Sequence, residues 1–146
     1  MILSRISKNT SAEVKILIDT HALIWFCEGN TNLSEKARKV MQDDANDKLI
    51  SPAVPWEMAI KISIGKLTLK TDFSSIFPGV ASANGFNLLP LHFSHFEYLM
   101  TMPKHHADPF DRIMIAQALS EDCSIVTIDP NFAKYSAKIL WCPLTD

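Results

Sequence analysis

Asp19, Glu57, Asp111 and Asp129 are the residues of this chain best suited to chemistry: four carboxylates spread over more than a hundred positions, each at the end of an apolar run or in a helix beside one. An open parallel α/β sheet collects its strand ends into one crevice. Carboxylates brought together there repel one another unless a cation neutralises them. A site built only from oxygen donors suits Mg²⁺ or Mn²⁺ rather than zinc, and the reaction class it supports is metal-assisted hydrolysis.

Each acid also has a purely structural reading. Asp19 follows Ile16-Leu17-Ile18 and precedes Thr20, so it can simply cap the helix that begins near His21. Asp129-Pro130 after Ile125-Val126-Thr127-Ile128 is an ordinary cap followed by a first-turn proline. Glu57 can complement a helix N-terminus or pair with Lys61 four residues on. In His105-His106-Ala107-Asp108-Pro109-Phe110-Asp111-Arg112, Asp108 reads as an N-cap, which places Asp111 at the third helical position. Arg112 can pair with an acid or meet a phosphate, and His105 and His106 read as loop residues beside the site. The secondary candidates are Asp108, Arg112, Thr20 and His106.

The elements that must carry these residues alternate regularly. Strands are expected at Val14 to Ile18, Lys48 to Ser51, Asn87 to Leu91, Ser124 to Ile128 and Lys138 to Trp141. Helices are expected from His21 to Glu28, closed by Gly29-Asn30, from a Ser34 cap through Met41, and within 52–64 with Gly65 as the stop. Others follow in Phe73 to Ala83, interrupted near Pro78-Gly79, from a Ser94 cap through Met100, from Asp108-Pro109 to Ser120, and near Phe132 to Tyr135. This order implies an α/β fold with a parallel sheet covered on both faces. Trp25, Trp56, Trp141, Phe26 and Phe110 are expected to supply core area.

The 146 residues, 47% of them hydrophobic, fit one domain. No apolar run reaches the roughly 18 residues that span a bilayer, so no membrane partner is expected. Three cysteines, Cys27, Cys123 and Cys142, without a CxxC pair, point to a reducing cytoplasm and away from a disulfide framework or zinc site. The net charge of −2 does not announce a nucleic-acid binder, but neutralising the four acids would reverse its sign. There is no GxGxxG, Walker A or GxSxG motif. These residues suggest a metal-dependent nuclease. The rival is a non-catalytic Mg²⁺-binding interaction module of the phospho-receiver type, which would want paired acids after the first strand.

The chain resembles the PIN domain, most closely the toxins of the VapC type. The likeness rests on Ile18-Asp19-Thr20-His21-Ala22-Leu23-Ile24-Trp25, Leu33-Ser34, Trp56-Glu57-Met58-Ala59-Ile60-Lys61 and Gly65-Lys66-Leu67. It continues through His106-Ala107-Asp108-Pro109-Phe110-Asp111-Arg112, Ile115-Ala116-Gln117-Ala118 and Thr127-Ile128-Asp129 to Trp141, in family order over about residues 14 to 146. The resemblance implies a PIN-like three-layer fold with a central parallel sheet of about five strands. It also implies Asp19, Glu57, Asp111 and Asp129 as the acids around Mg²⁺ or Mn²⁺, endoribonuclease activity on tRNA or other structured RNA, a cognate antitoxin and a homodimer. Two features depart from the pattern. Pro55 stands where a helix-former is usual, and residues 1–13 precede a strand with which such proteins open almost at once, so 1–13 reads as an N-terminal extension of a PIN domain over 14–146.

Overall fold

A computed structural model of the chain describes residues 14–105, 107–135 and 139–141. The segment 1–13, His106 and the Trp141 side chain therefore lie outside the described residues. At the centre is β1 (Lys15–Ile18), buried over Ile16, Leu17 and Ile18. It pairs in parallel with β2 (Asp47–Ile50) on one side and β4 (Ser124–Thr127) on the other. Outside these lie β3 (Asn87–Leu88) and β5 (Ile139–Trp141), which gives the strand order β3-β2-β1-β4-β5, all parallel. The five expected strands are present. β3 is shorter than expected: Leu89 N still donates to Ile50 O (2.8 Å), but Pro90 has no N–H with which to continue the ladder.

Helices α1 (Thr20–Glu28), α2 (Glu35–Gln42) and α3 (Ala53–Ser63) follow the first two strands. Gly29 closes α1 at φ 63°, a left-handed position where a Cβ is disfavoured, and Ser34 caps α2 by accepting from Ala37 N (3.1 Å). Pro55 does not displace the start of α3: it sits in the first turn, where a missing N–H breaks no helical hydrogen bond. The stretch Ser75–Val80 winds loosely and is broken at Phe77 (φ −122°, ψ 110°), the residue before Pro78, where helical backbone is sterically disfavoured. It runs into the single turn α4 (Ala81–Ala83).

The helix α5 (Phe93–Thr101) starts one residue before the expected Ser94 cap. His92 is the capping residue, and its backbone N–H donates to Nδ1 of His95 (3.0 Å). That bond leaves Nε2 of the buried His95 to donate to Glu121 (2.8 Å) at the end of α6 (Pro109–Glu121), so one imidazole ties the two helices together. A short 3₁₀ turn, Pro130–Lys134, leads from β4 towards β5.

One expectation about the core fails. Trp56 is 60% exposed. Ala53, Val54, Glu57 and Met58 define the buried face of α3, and a residue two places from both Val54 and Met58 falls on the opposite side of a 3.6-residue helix. Its ring instead meets the partly buried Phe110 edge to face, with centroids 5.1 Å apart. Trp25, Phe26 and Phe110 pack, partly buried, against the core.

Candidate active site

The strand order places the functional crevice. From β1 the chain proceeds outward to β2 and β3, then returns to the other side of β1 for β4 and β5. Helical connections leave on both sides of this reversal, and the gap between the carboxyl ends of β1 and β4 is where an open α/β sheet accepts ligands. Asp19 immediately follows β1, and Asp129 comes two residues after β4. Helix α3 brings Glu57 and Lys61 to the same place, and the first turn of α6 brings Asp108 and Asp111. A cavity of about 350 Å³ results, lined by these six residues together with His21, Ile128 and Pro130.

The carboxylates are held by short hydrogen bonds. Asp19, 4% exposed, accepts from Thr20 N (2.8 Å) at Oδ1 and from the Thr127 hydroxyl (2.7 Å) at Oδ2. Thr127 Oγ1 in turn accepts from Asp129 N (3.1 Å), so one buried threonine couples both strand-end acids. Thr20 donates its hydroxyl to Glu57 Oε1 (2.7 Å), and Lys61 Nζ lies 2.7 Å from Glu57 Oε2. Asp129 accepts from Asn131 N (2.9 Å). Asp108 accepts from Phe110 N (2.9 Å) and Asp111 N (3.1 Å), the expected cap, which leaves Asp111 at the third position of α6. The structural readings and the site reading therefore coexist: Asp19, Asp108 and Asp129 are caps, Glu57 is ion-paired, and all of them face one cavity.

Crowding shows in the electrostatics. Burial raises the Asp19 carboxyl from 3.8 to about 6, opposed by the bonds from Thr127 and Thr20. Asp111 is raised further, to about 8, first by burial and then by the charges of Asp19, Asp108, Glu57 and Asp129. Lys61 moves upward too, chiefly through its bond to Glu57. A cation added to this cavity would relieve the repulsion that burdens Asp111, and all the carboxylate donors are hard oxygens fitted to Mg²⁺ or Mn²⁺. As placed, no group of three His, Cys, Asp or Glu among the described residues is gathered closely enough to hold an ion. Asp19 and Glu57 each have both oxygens bonded to protein donors, one of them the Lys61 ammonium.

Of the secondary candidates, Thr20 lies against Glu57, and Asp108 lines the cavity. Arg112 does not line it; its guanidinium donates to Pro103 O (3.1 Å) and the Tyr135 hydroxyl (3.4 Å), pinning the loop before α6. Among the described residues Arg112 makes no ion pair with an acid. Lys61 and Thr127 gain a place at the site that their types alone did not announce. The i,i+4 spacing to Glu57 was the signal for Lys61; Thr127 gave only its position at a strand end.

The PIN domain family matches residues 16–138. No curated protein sequence matches the chain. Among solved structures, similarity extends to VapBC2 from Rickettsia felis bound to a DNA fragment from their promoter, at 14% identity and a TM-score of 0.64, covering 87% of this chain and 97% of the other. VapBC-1 from nontypeable Haemophilus influenzae is similar at 14% identity and a TM-score of 0.59, covering 90% and 98% respectively. At that identity the two structures speak for the fold. The family match spans both strand-end acids and both helices that face them, and by it this chain belongs to the PIN domain family.

Proposed function

We propose that this chain is a Mg²⁺- or Mn²⁺-dependent endoribonuclease of the VapC type, the toxin of a toxin–antitoxin pair that acts in the cytoplasm. The observation that carries the reading is the crevice at the carboxyl ends of β1 and β4. There five carboxylates among the described residues line about 350 Å³, and burial, then the charges of the other four, raise the Asp111 carboxyl to about 8. Such a pocket repels a phosphate unless a cation is present. The two similar solved structures are VapBC complexes, which supports a cognate antitoxin as partner. A homodimer is part of the same reading, and structured RNA such as tRNA is the substrate class.

Asp19 and Asp129, coupled through Thr127, would hold the ion directly or through water, and Glu57 and Asp111 would complete its shell or orient the attacking water. A bound divalent ion supplies a lowered pKa for water and neutralises charge on the phosphate. Hydrolysis adds the water oxygen to phosphorus and expels one ester oxygen, which leaves with a proton. Asp111 is raised to about 8 in the ion-free cavity; a bound cation would draw it down, so beside the ion it would act as an ionised carboxylate that binds the ion or orients the water. Thr20 and Thr127 keep Glu57 and Asp19 from rotating away.

The test is incubation of purified protein with a tRNA pool, with and without Mg²⁺ or Mn²⁺, beside Asp19→Asn. Metal-dependent cuts that the variant lacks support the reading. Metal binding by the wild type with no cleavage of any RNA favours the interaction module, and cleavage retained by Asp19→Asn removes Asp19 from the chemistry.

A further inference from the structure

Among the described residues that line the acidic cavity, Lys61 supplies the one ammonium. Four residues from Glu57 on α3, it reaches back over one turn to place Nζ 2.7 Å from Oε2. The two partners differ in burial: the Glu57 side chain is 4% exposed and the Lys61 side chain 35%. Glu57 is also anchored on its other oxygen by Thr20, so the carboxylate is fixed and the ammonium, on a flexible four-carbon stem, is the mobile member. A divalent ion that takes Glu57 as a ligand competes with Lys61 for Oε2, and two cations on one carboxylate repel.

From this geometry we infer that Lys61 is an internal cation exchanged against the divalent ion: it holds Glu57 while the ion is away and, displaced when the ion binds, meets the RNA phosphate as a substrate-positioning residue. The inference rests on the metal-dependent reading above. It makes metal loading and substrate engagement successive, because the ammonium is released to the phosphate only when the ion takes its place on Glu57. The coupling is reciprocal, so whatever Lys61 subtracts from ion affinity the ion subtracts from the Lys61–Glu57 bond.

The test is calorimetric titration of the full chain with Mn²⁺ alone, in wild type, Lys61→Gln and Lys61→Arg, followed by steady-state cleavage of one RNA. Lys61→Gln is expected to bind Mn²⁺ about tenfold more tightly, within the usual span of coupling between two sites. The same variant should raise KM for RNA with a smaller change in kcat, and Lys61→Arg should restore much of KM. Unchanged or weaker Mn²⁺ binding in Lys61→Gln overturns the exchange, and an unchanged KM overturns the positioning role. Should Lys61→Gln not fold, Lys61→Arg decides alone: a guanidinium grips the carboxylate in two-pronged fashion, so its Mn²⁺ binding is expected to weaken, and tighter binding overturns the proposal. Absence of Mn²⁺ binding in the wild type sinks the metal-dependent reading itself, whereas binding indifferent to Lys61 sinks only the exchange.

Discussion

Asp111 and Asp19 hold protons that an unfolded chain would release, and this sets how the protein answers to pH. Both carboxyls are raised from 3.8, to about 8 and about 6 respectively. The native state therefore binds more protons than the unfolded state across that interval, and stability must fall as pH rises. Their contribution is complete below about pH 4, and is lost as pH passes 6 for Asp19 and 8 for Asp111. With chelator present, the urea midpoint is expected to be higher at pH 5 than at pH 8, and Asp111→Asn should flatten the difference. A midpoint that rises over this range would contradict the raised values. Thr127→Val tests the other side of the balance: losing the buried hydroxyl leaves Asp19 Oδ2 without its donor and should lower stability by about 1–3 kcal/mol in thermal melts, with cleavage reduced as well. Asp19 and Asp129 were legible because each closes an apolar strand run, whereas Glu57 and Asp111 lie within helices. The Thr127 link was not, since its two partners meet across 108 residues and no local pattern records that distance.

At the level of the elements, caps and stops were the readable signals. Ser34 and Gly29 bound their helices because a side-chain oxygen and a left-handed position are local requirements. Ser34→Ala should therefore reduce stability by about 1 kcal/mol, read as a lower melting temperature, and leave cleavage unchanged because Ser34 is not among the residues lining the cavity. Gly29→Ala forces a Cβ into φ 63° and should cost about 1–2 kcal/mol by the same measurement, although open space surrounds the position. A melting temperature unchanged in either variant would show that these ends are held by packing instead. What the local signals could not give was the partner. The α5 cap passed to His92 because His95 reaches back to it while also gripping Glu121, an arrangement that exists only once α5 lies on α6. Trp56 looked like core by residue type, but its helical phase faces it outward, where its ring meets Phe110 from the start of α6.

For the molecule as a whole, alternation of strands and helices sufficed to imply a parallel sheet, and the sheet is parallel throughout. The order β3-β2-β1-β4-β5 was not readable, because nothing within a strand states on which side of β1 a later strand will settle. That order creates the cavity beyond the carboxyl ends of the paired strands β1 and β4, where Asp19 and Asp129 follow, so the site belongs to the topology more than to any motif. It also imposes a timetable. β1 leaves the ribosome before its neighbours and finds β2 within tens of residues, but its second neighbour, β4, is over a hundred residues further along. At common rates of synthesis the nascent chain spends roughly 5–20 s with one edge of its central strand unpaired. For that interval Asp19 and Glu57 exist without Asp129 opposite them, so the emerging chain is exposed to misassociation through the bare edge before it possesses a complete acidic crevice.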